Sequence, residues 1–241
     1  MINIEKEIIA HAKAEGVRES CGVVSGDRYF PCRNIHPMPA HYFEINPDDW
    51  ITAECYADII AIVHSHPSYQ PFLSSGDRKF QLKTGLPWWL ACNNKLYKFN
   101  PIPPLLGRTF SHGFQDCYSI IRDSYHLANI SLADFKRDDE WWYSNQNLYL
   151  DNIQNQDFYQ VDDIQEGDVI LICLGTSKPC HAALYIGNQE ILHHRPDRLS
   201  KRDTYSGYWL KYTHSIWRHE QWSNYSLQAI YADLDVNLNL K

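Results

Sequence analysis

No stretch of this chain carries enough Lys and Arg to make a basic stripe. The net charge is −7, so neutralisation of a phosphate backbone is not indicated and no nucleic-acid partner is expected. The short basic cluster from Arg195 to Arg202 reads as a solvated loop. No C-x-x-C pair occurs. The seven cysteines, at 21, 32, 55, 92, 117, 173 and 180, are odd in number and irregularly spaced. That argues against a disulfide framework and for synthesis in a reducing compartment. No apolar run approaches the ~18 residues a membrane helix needs. Residues 1–7 lack a basic segment leading into an apolar one, so neither a signal peptide nor a membrane anchor is expected. Internal repeats and low-complexity segments are missing too.

Of the 241 residues, 44% are apolar, an ordinary globular composition with room for one large domain or two modest ones. Asn100-Pro101-Ile102-Pro103-Pro104 is the one proline cluster. Three prolines in four positions favour extended backbone and block both helix and ladder. The pattern predicts domains over 1–100 and 107–241, joined by a linker at 101–106. In the first half a helix is expected over 2–15, then a hairpin of 21–24 and 28–31 turned at Ser25-Gly26-Asp27. Asn46-Pro47-Asp48-Asp49 starts a helix running toward Asp58, because an N-cap precedes proline and two acids in the first turn. The apolar run Ile59–Val63 is a buried strand. A helix over about 75–84 and a hairpin of 88–92 and 96–99, turned at Asn93-Asn94-Lys95, complete this half. In the second half, Cys117, Ile121, Tyr125 and Ala128 share a helical face. Residues 133–160 predict loop with short helices, and strands are expected at 169–174, 181–186 and 190–194. The fold class is α+β, built from two α/β-type domains.

The stretch His64-Ser65-His66-Pro67, followed by Ser74 and Asp77, is the strongest signal in the chain. Two imidazoles one residue apart point to the same face of an extended strand. A carboxylate follows eleven residues after the second, at a helix start. Three N/O ligands suit a catalytic zinc site whose fourth position takes water. Taken singly, each part has a plainer reading. An H-x-H is usually a surface pair, Ser74-x-x-Asp77 could be a helix capping box, and Pro67 could simply end a strand. The joint pattern favours the metal.

The pattern resembles the JAMM/MPN metalloprotease family. That resemblance implies a cytidine deaminase-like α/β sandwich, Zn²⁺ held by His64, His66 and Asp77, and Ser74 beside the developing oxyanion. It also implies an upstream glutamate as general base, which Glu19 in Glu19-Ser20-Cys21-Gly22-Val23-Val24 supplies. On its own, Glu19 would read as a solvated loop acid.

Cys117 begins a helix, where the dipole and free amides are expected to lower its pKa. A cysteine packed under a helix is the plainer reading. His181 opens an apolar strand and His193 closes the next one. An odd-numbered loop at 187–189 puts both on one face, whereas an even-numbered loop presents His194 instead. One histidine could pair with the thiol while the second orients the first, as in thiol hydrolases.

Asp116-Cys117 at a helix start, Gly167-Asp168-Val169-Ile170 before a strand, His181-x-x-Leu184-Tyr185-Ile186-Gly187 and Leu192-His193 together resemble the NlpC/P60 family. The resemblance implies a papain-like fold with Cys117 as nucleophile, His181 as base and His193 as the orienting residue, acting on peptidoglycan stem peptides. Tyr118-Ser119 and Ala183 depart from the family pattern and bear on the shape of the substrate groove. The order of the two modules resembles the tail-assembly proteins of lambda-like phages. That implies tail-tip proteins as partners, the host cytoplasm as the place of action during assembly, and retention in the virion tail tip as an open alternative.

The leading expectation is a two-headed hydrolase, with zinc-dependent amide or isopeptide hydrolysis at the first site and thiol peptidase action at the second. The alternative is a structural assembly factor that processes or binds a tail protein, with wall cleavage absent or incidental. A third reading takes His64-x-His66 into an amidohydrolase barrel, and the proline cluster after residue 100 speaks against it.

Overall fold

The first hairpin explains why glycine follows cysteine at its start. Strands β1 (Cys21–Ser25) and β2 (Arg28–Cys32) pair with Gly22 opposite Pro31. A Cβ on Gly22 would lie 2.5 Å from the Phe30 carbonyl oxygen and 2.7 Å from the Tyr29 hydroxyl. Gly22→Ala is therefore expected to destabilise its unit by about 1–3 kcal/mol through overpacking, read as a lower urea midpoint at unchanged slope.

The computed structural model describes residues 4–144 and 146–238. The chain divides into two compact units, residues 1–102 and 103–241. Each mixes helices with one sheet, the α+β class expected. In the first unit the sheet order is β2-β1-β3-β4-β5, with β3 at Ile59–Ser65, β4 at Trp88–Cys92 and β5 at Lys95–Phe99. Neighbours are antiparallel except β3 and β4, which run parallel because helix α3 (Ser75–Thr84) crosses between them. Helix α1 (Ile4–Glu15) covers one face over Val24, Ala61 and Val63. The other face carries Val23, Ile62, Trp88 and Leu90 and meets helix α2 (Pro47–Glu54) through Ala53 and Trp50. Helix α2 is shorter than the sequence suggested, stopping at Glu54 instead of approaching Asp58. The second hairpin turns on two residues, not three: Asn93 and Asn94 both take positive φ (52° and 59°), and Lys95 joins the strand. That pair of left-handed residues matches the strand twist.

In the second unit the strand pairings are antiparallel, in the order β10 (Lys201–Thr204), β9 (Glu190–His193), β8 (His181–Tyr185), β7 (Val169–Ile172), β11 (Thr213–His219) and β6 (Phe158–Val161). Helix α4 (Cys117–Leu127) packs on β8 (His181–Tyr185) and β9 (Glu190–His193). Strand β7 (Val169–Ile172) is wholly buried beside them. Residues 133–160 hold a 3-10 turn at Trp141–Tyr143 and helix α5 (Leu148–Ile153), as expected, and also the strand β6 (Phe158–Val161), which the sequence did not reveal. The supposed solvated loop at 195–202 passes into an edge strand, β10 (Lys201–Thr204). Helix α6 (Gly207–Lys211), strand β11 (Thr213–His219) and helix α7 (Asn224–Leu238) complete the unit. Within it, Leu105 is buried and its amide donates to Asp233 Oδ2 at 2.7 Å. The Pro103 and Pro104 carbonyls accept from Arg108. Among the described residues no helix is long and apolar enough to cross a membrane.

Two candidate catalytic centres

The carboxyl end of β3, where the chain leaves a parallel pair toward α3, is the kind of crevice that α/β sheets use for ligands. Strand β3 turns His64 to the face of Ile62. There its ring stacks on Phe43 with centroids 4.9 Å apart and meets Trp88 edge-on at 5.4 Å. His66 follows just past the strand end. Asp77 arrives from the first turn of α3.

The His64 Nε2, His66 Nε2 and Asp77 Oδ2 atoms form a triangle with edges of 3.1, 3.3 and 3.5 Å. Among the described residues this is the one cluster of metal-ligand type. Ligands about 2.0–2.1 Å from a tetrahedral zinc stand roughly 3.3 Å apart, so the donor atoms already have the spacing the ion requires. The His66 Nδ1 proton goes to the Gln70 carbonyl at 2.9 Å, which leaves the Nε2 lone pair for the ion. If His64 also ligates through Nε2, its proton sits on Nδ1, which is buried without a partner. That costs about 1–3 kcal/mol, well under the ~10–16 kcal/mol that a structural zinc can contribute. The donor set fits the group.

The capping box and the candidate ligand set share one atom, Asp77 Oδ2. Asp77 Oδ2 accepts from the Ser74 amide at 2.8 Å and the Ser74 hydroxyl at 2.7 Å, and Ser74 Oγ accepts from the Asp77 amide at 3.1 Å. Ser74 thus aims its carboxylate neighbour, with its own proton committed to Asp77. Burial pushes the Asp77 carboxyl up, but His64 and His66 outweigh it and hold the group well below the usual range. Burial lowers His64, whereas for His66 the hydrogen bond and charge of Asp77 outweigh burial and raise it.

Glu19 reaches the site through strand register. Cys21 pairs with His64 across β1 and β3. One step on, the Ser65 amide donates to the Ser20 carbonyl at 3.0 Å and the Ser20 amide to Ser65 Oγ at 2.8 Å. The next position across from His66 is Glu19, and the two line one cleft with Ser74 and Asp77. Glu19 is 7% exposed. Burial pushes its carboxyl up to about 7, with His66 lowering it and Asp77 raising it by lesser amounts.

The second centre is built at the start of α4. Asp116 caps the helix: its Oδ1 accepts from the Ser119 amide at 2.9 Å, and its Oδ2 from the Gly113 amide at 2.9 Å and from Arg137 Nε at 2.7 Å. Cys117 follows as the first helical residue, with its Sγ 3.0 Å from the Tyr149 hydroxyl. Cys117 and His181 line the same cleft, together with Trp141, Trp142 and Tyr149. The Ile186 amide donates to the Glu190 carbonyl at 3.0 Å, which leaves a three-residue turn at 187–189, so His193 falls opposite Ala183, on the face of His181. His181 Nε2 and His193 Nδ1 are 3.1 Å apart. His194 points the other way and meets Phe110 edge-on.

The expected depression of the thiol pKa is not what the site does. Burial, and then the Asp116 carboxylate, push Cys117 up to about 12, against the Tyr149 hydroxyl, the Ala182 amide and Arg137. Desolvation outweighs the helix terminus. Burial, with His193 and Arg195, holds His181 well below its ordinary value. Both groups are therefore held in their uncharged forms, a thiol and a neutral imidazole.

Sequence reading missed Asp203. Its Oδ2 lies 3.0 Å from His193 Nε2, and Lys201 Nζ lies 2.7 Å from its Oδ1. The only signal was an acid directly after the Lys201-Arg202 pair. Sequence reading also missed Tyr149, one of many aromatics in a segment without period.

With both sites in view, the chain is a JAB-domain protein joined to an NlpC/P60-domain protein. Residues 2–102 match the family described as prokaryotic homologs of the JAB domain, and residues 107–218 match the NlpC/P60 family. Tail tip assembly protein K of Escherichia phage lambda is 50% identical over 192 residues, covering 79% of this chain and 96% of that one. Tail tip assembly protein K of Escherichia phage N15 is 34% identical over 228 residues, covering 88% and 93%. The chain belongs to the tail tip assembly protein K family. Among solved structures, NlpC2 from Trichomonas vaginalis aligns over 83% of this chain and 70% of its own, at 15% identity and a TM-score of 0.37.

Proposed function

We propose that this chain is a two-headed hydrolase of phage tail-tip assembly, acting on tail-tip proteins in the host cytoplasm and on peptidoglycan stem peptides. Its domains would be 1–100 and 107–241, joined by 101–106. The observation that carries the reading is the triangle of His64, His66 and Asp77 donor atoms. A zinc ion there would lower the pKa of bound water to ~7 and polarise an amide carbonyl. Glu19, buried beside His66, would take the water proton and pass it to the leaving amine. Ser74 would hold Asp77 in place at the cleft where the oxyanion forms. In the second head Cys117 would attack the peptide carbonyl, His181 would take the thiol proton and return it to the leaving amine, and His193 would orient His181.

The pH dependence of the first head follows from Glu19. A base must be deprotonated to act, so its rate should fall as pH drops through about 7. Glu19→Gln should remove that limb along with most of the activity, read from initial rates between pH 5 and 9. An ion at the site favours the carboxylate and draws the limb of the loaded chain below that value, and partial chelation should lower the rate without moving the limb, because chains without the ion do not turn over.

The raised pKa of the half-buried thiol favours a second reading, in which residues 103–241 bind a tail protein and wall cleavage is incidental. Complementation separates the two. Glu19→Ala and Cys117→Ala chains are each expected to fail in forming infectious tails. Full complementation by Cys117→Ala would make the second unit a binding module.

A further inference from the structure

We infer that Asp203 is a positioning residue that fixes the proton pattern of the thiol centre through His193. The inference rests on reading Cys117 and His181 as a nucleophile and its base.

The argument is one of donors and acceptors along a single line of contacts. The Asp203 carboxylate can only accept hydrogen bonds. Its Oδ2 is 3.0 Å from His193 Nε2, so that nitrogen carries the His193 proton. A neutral imidazole has one such proton, so His193 Nδ1 presents a lone pair. His181 Nε2, 3.1 Å away, must then donate to it. His181 Nδ1 is left with the lone pair and is the nitrogen able to receive the Cys117 proton. On attack the S–H bond breaks, the proton moves to His181 Nδ1 and an S–C bond forms. The resulting imidazolium keeps its Nε2 proton and donates it to His193 Nδ1, while His193 keeps its own Nε2 proton and donates it to the Asp203 carboxylate. Without that carboxylate nothing selects this tautomer over its reverse.

Lys201 sharpens the consequence. Its ammonium group donates to Asp203 Oδ1 at 2.7 Å. In Asp203→Asn the ammonium group holds the amide oxygen at that position and so turns the amide nitrogen, a donor, toward His193 Nε2. The His193 proton must then move to Nδ1 and that of His181 to its own Nδ1, the nitrogen that has to be empty. One isosteric change two hydrogen bonds away from His181 Nδ1 therefore blocks the base. A second change can release it. When Lys201 is replaced by Met, the amide is free to rotate and offer its oxygen to His193.

The test uses the full chain and needs no substrate. The rate of iodoacetamide alkylation at pH 7 is followed on the Cys117 peptide by mass spectrometry, with the folded state checked by circular dichroism. Asp203→Asn is expected to slow alkylation about tenfold or more, a structural tautomer effect. Lys201→Met alone should change the rate less than about threefold, and Asp203→Asn with Lys201→Met should recover most of the loss. An Asp203→Asn rate equal to wild type, or a double variant no faster than Asp203→Asn, overturns the inference. A Cys117 rate indifferent to His181→Ala overturns the thiol–imidazole reading beneath it, whereas dependence on His181 without dependence on Asp203 overturns the inference alone. Should a variant not fold, ¹⁵N NMR of the wild-type histidines decides. Protons on Nε2 of both His181 and His193 support the assignment, and a proton on His193 Nδ1 overturns it.

Discussion

His66→Ala is expected to bring zinc content from about one ion per chain to none, and to reduce hydrolysis by the first head about 10³-fold or more. Three donor atoms already stand at ligand spacing. Removing one leaves an imidazole and a carboxylate, and a two-ligand zinc site has neither the charge nor the closure of a three-ligand one. Changes in the outer shell alone cost 10–100-fold in metal affinity, so loss of a ligand costs more. Stability follows the same ion. A ligand at 1,000 times its Kd adds about 4 kcal/mol to the folded state, so EDTA should lower the melting temperature of the wild-type chain. The same chelator should leave His66→Ala unmoved. Metal analysis of gel-filtered protein and calorimetry with and without chelator check both statements. The burial of His64 makes His66 the better choice, since a cavity at a wholly buried ring would add its own destabilisation.

Cys117→Ala carries the second large effect. Losing the nucleophile of a covalent mechanism costs about 10⁴-fold or more, since little of the machinery acts without it. Peptide-bond cleavage of muropeptides by the second head should therefore disappear, while zinc content and the first head's pH profile stay as in wild type. The fold should survive. The thiol is a small group, and replacing it frees Tyr149 of one contact at 3.0 Å. Cys117→Ser is expected to match Cys117→Ala in activity, because His181, held well below its ordinary pKa by burial, is a poor base for a hydroxyl. Reversed-phase separation of muropeptide products from the three proteins gives the answer.

The first unit was largely legible because its elements announce themselves locally. Asn46-Pro47-Asp48-Asp49 caps a helix as its chemistry demands, with the Asn46 side chain accepting from the Asp48 and Asp49 amides. Ala61, Ile62 and Val63 are apolar on both faces because both faces of the sheet are covered there, whereas Ile60, near the strand start, is 46% exposed. The candidate metal ligands were readable since one short strand exit and one capping box bring them together. Glu19 was not tied to them by spacing, and only the pairing of β1 with β3 supplies the connection. In the second unit the limits of sequence are clearer. Strand β10 is Lys-Arg-Asp-Thr, an exposed edge with no apolar alternation, and β11 buries Ser215, Trp217 and His219 on one side, a mixed polar face that hides its period. The Asp203–His193 contact depends on pairing the unrecognised β10 with β9. The thiol pKa went the other way from expectation because desolvation depends on what encloses Cys117, Tyr149 and the tryptophans of 141–142, and no local motif encodes that.

One mass-spectrometric comparison bears on the whole account: products released from mixed muropeptides and tail-tip proteins by the wild-type chain, Glu19→Ala and Cys117→Ala. Two product sets are expected, one vanishing with Glu19 and the other with Cys117. A wild-type digest identical to the buffer blank, or products that persist through both substitutions, would contradict a protein with two chemistries.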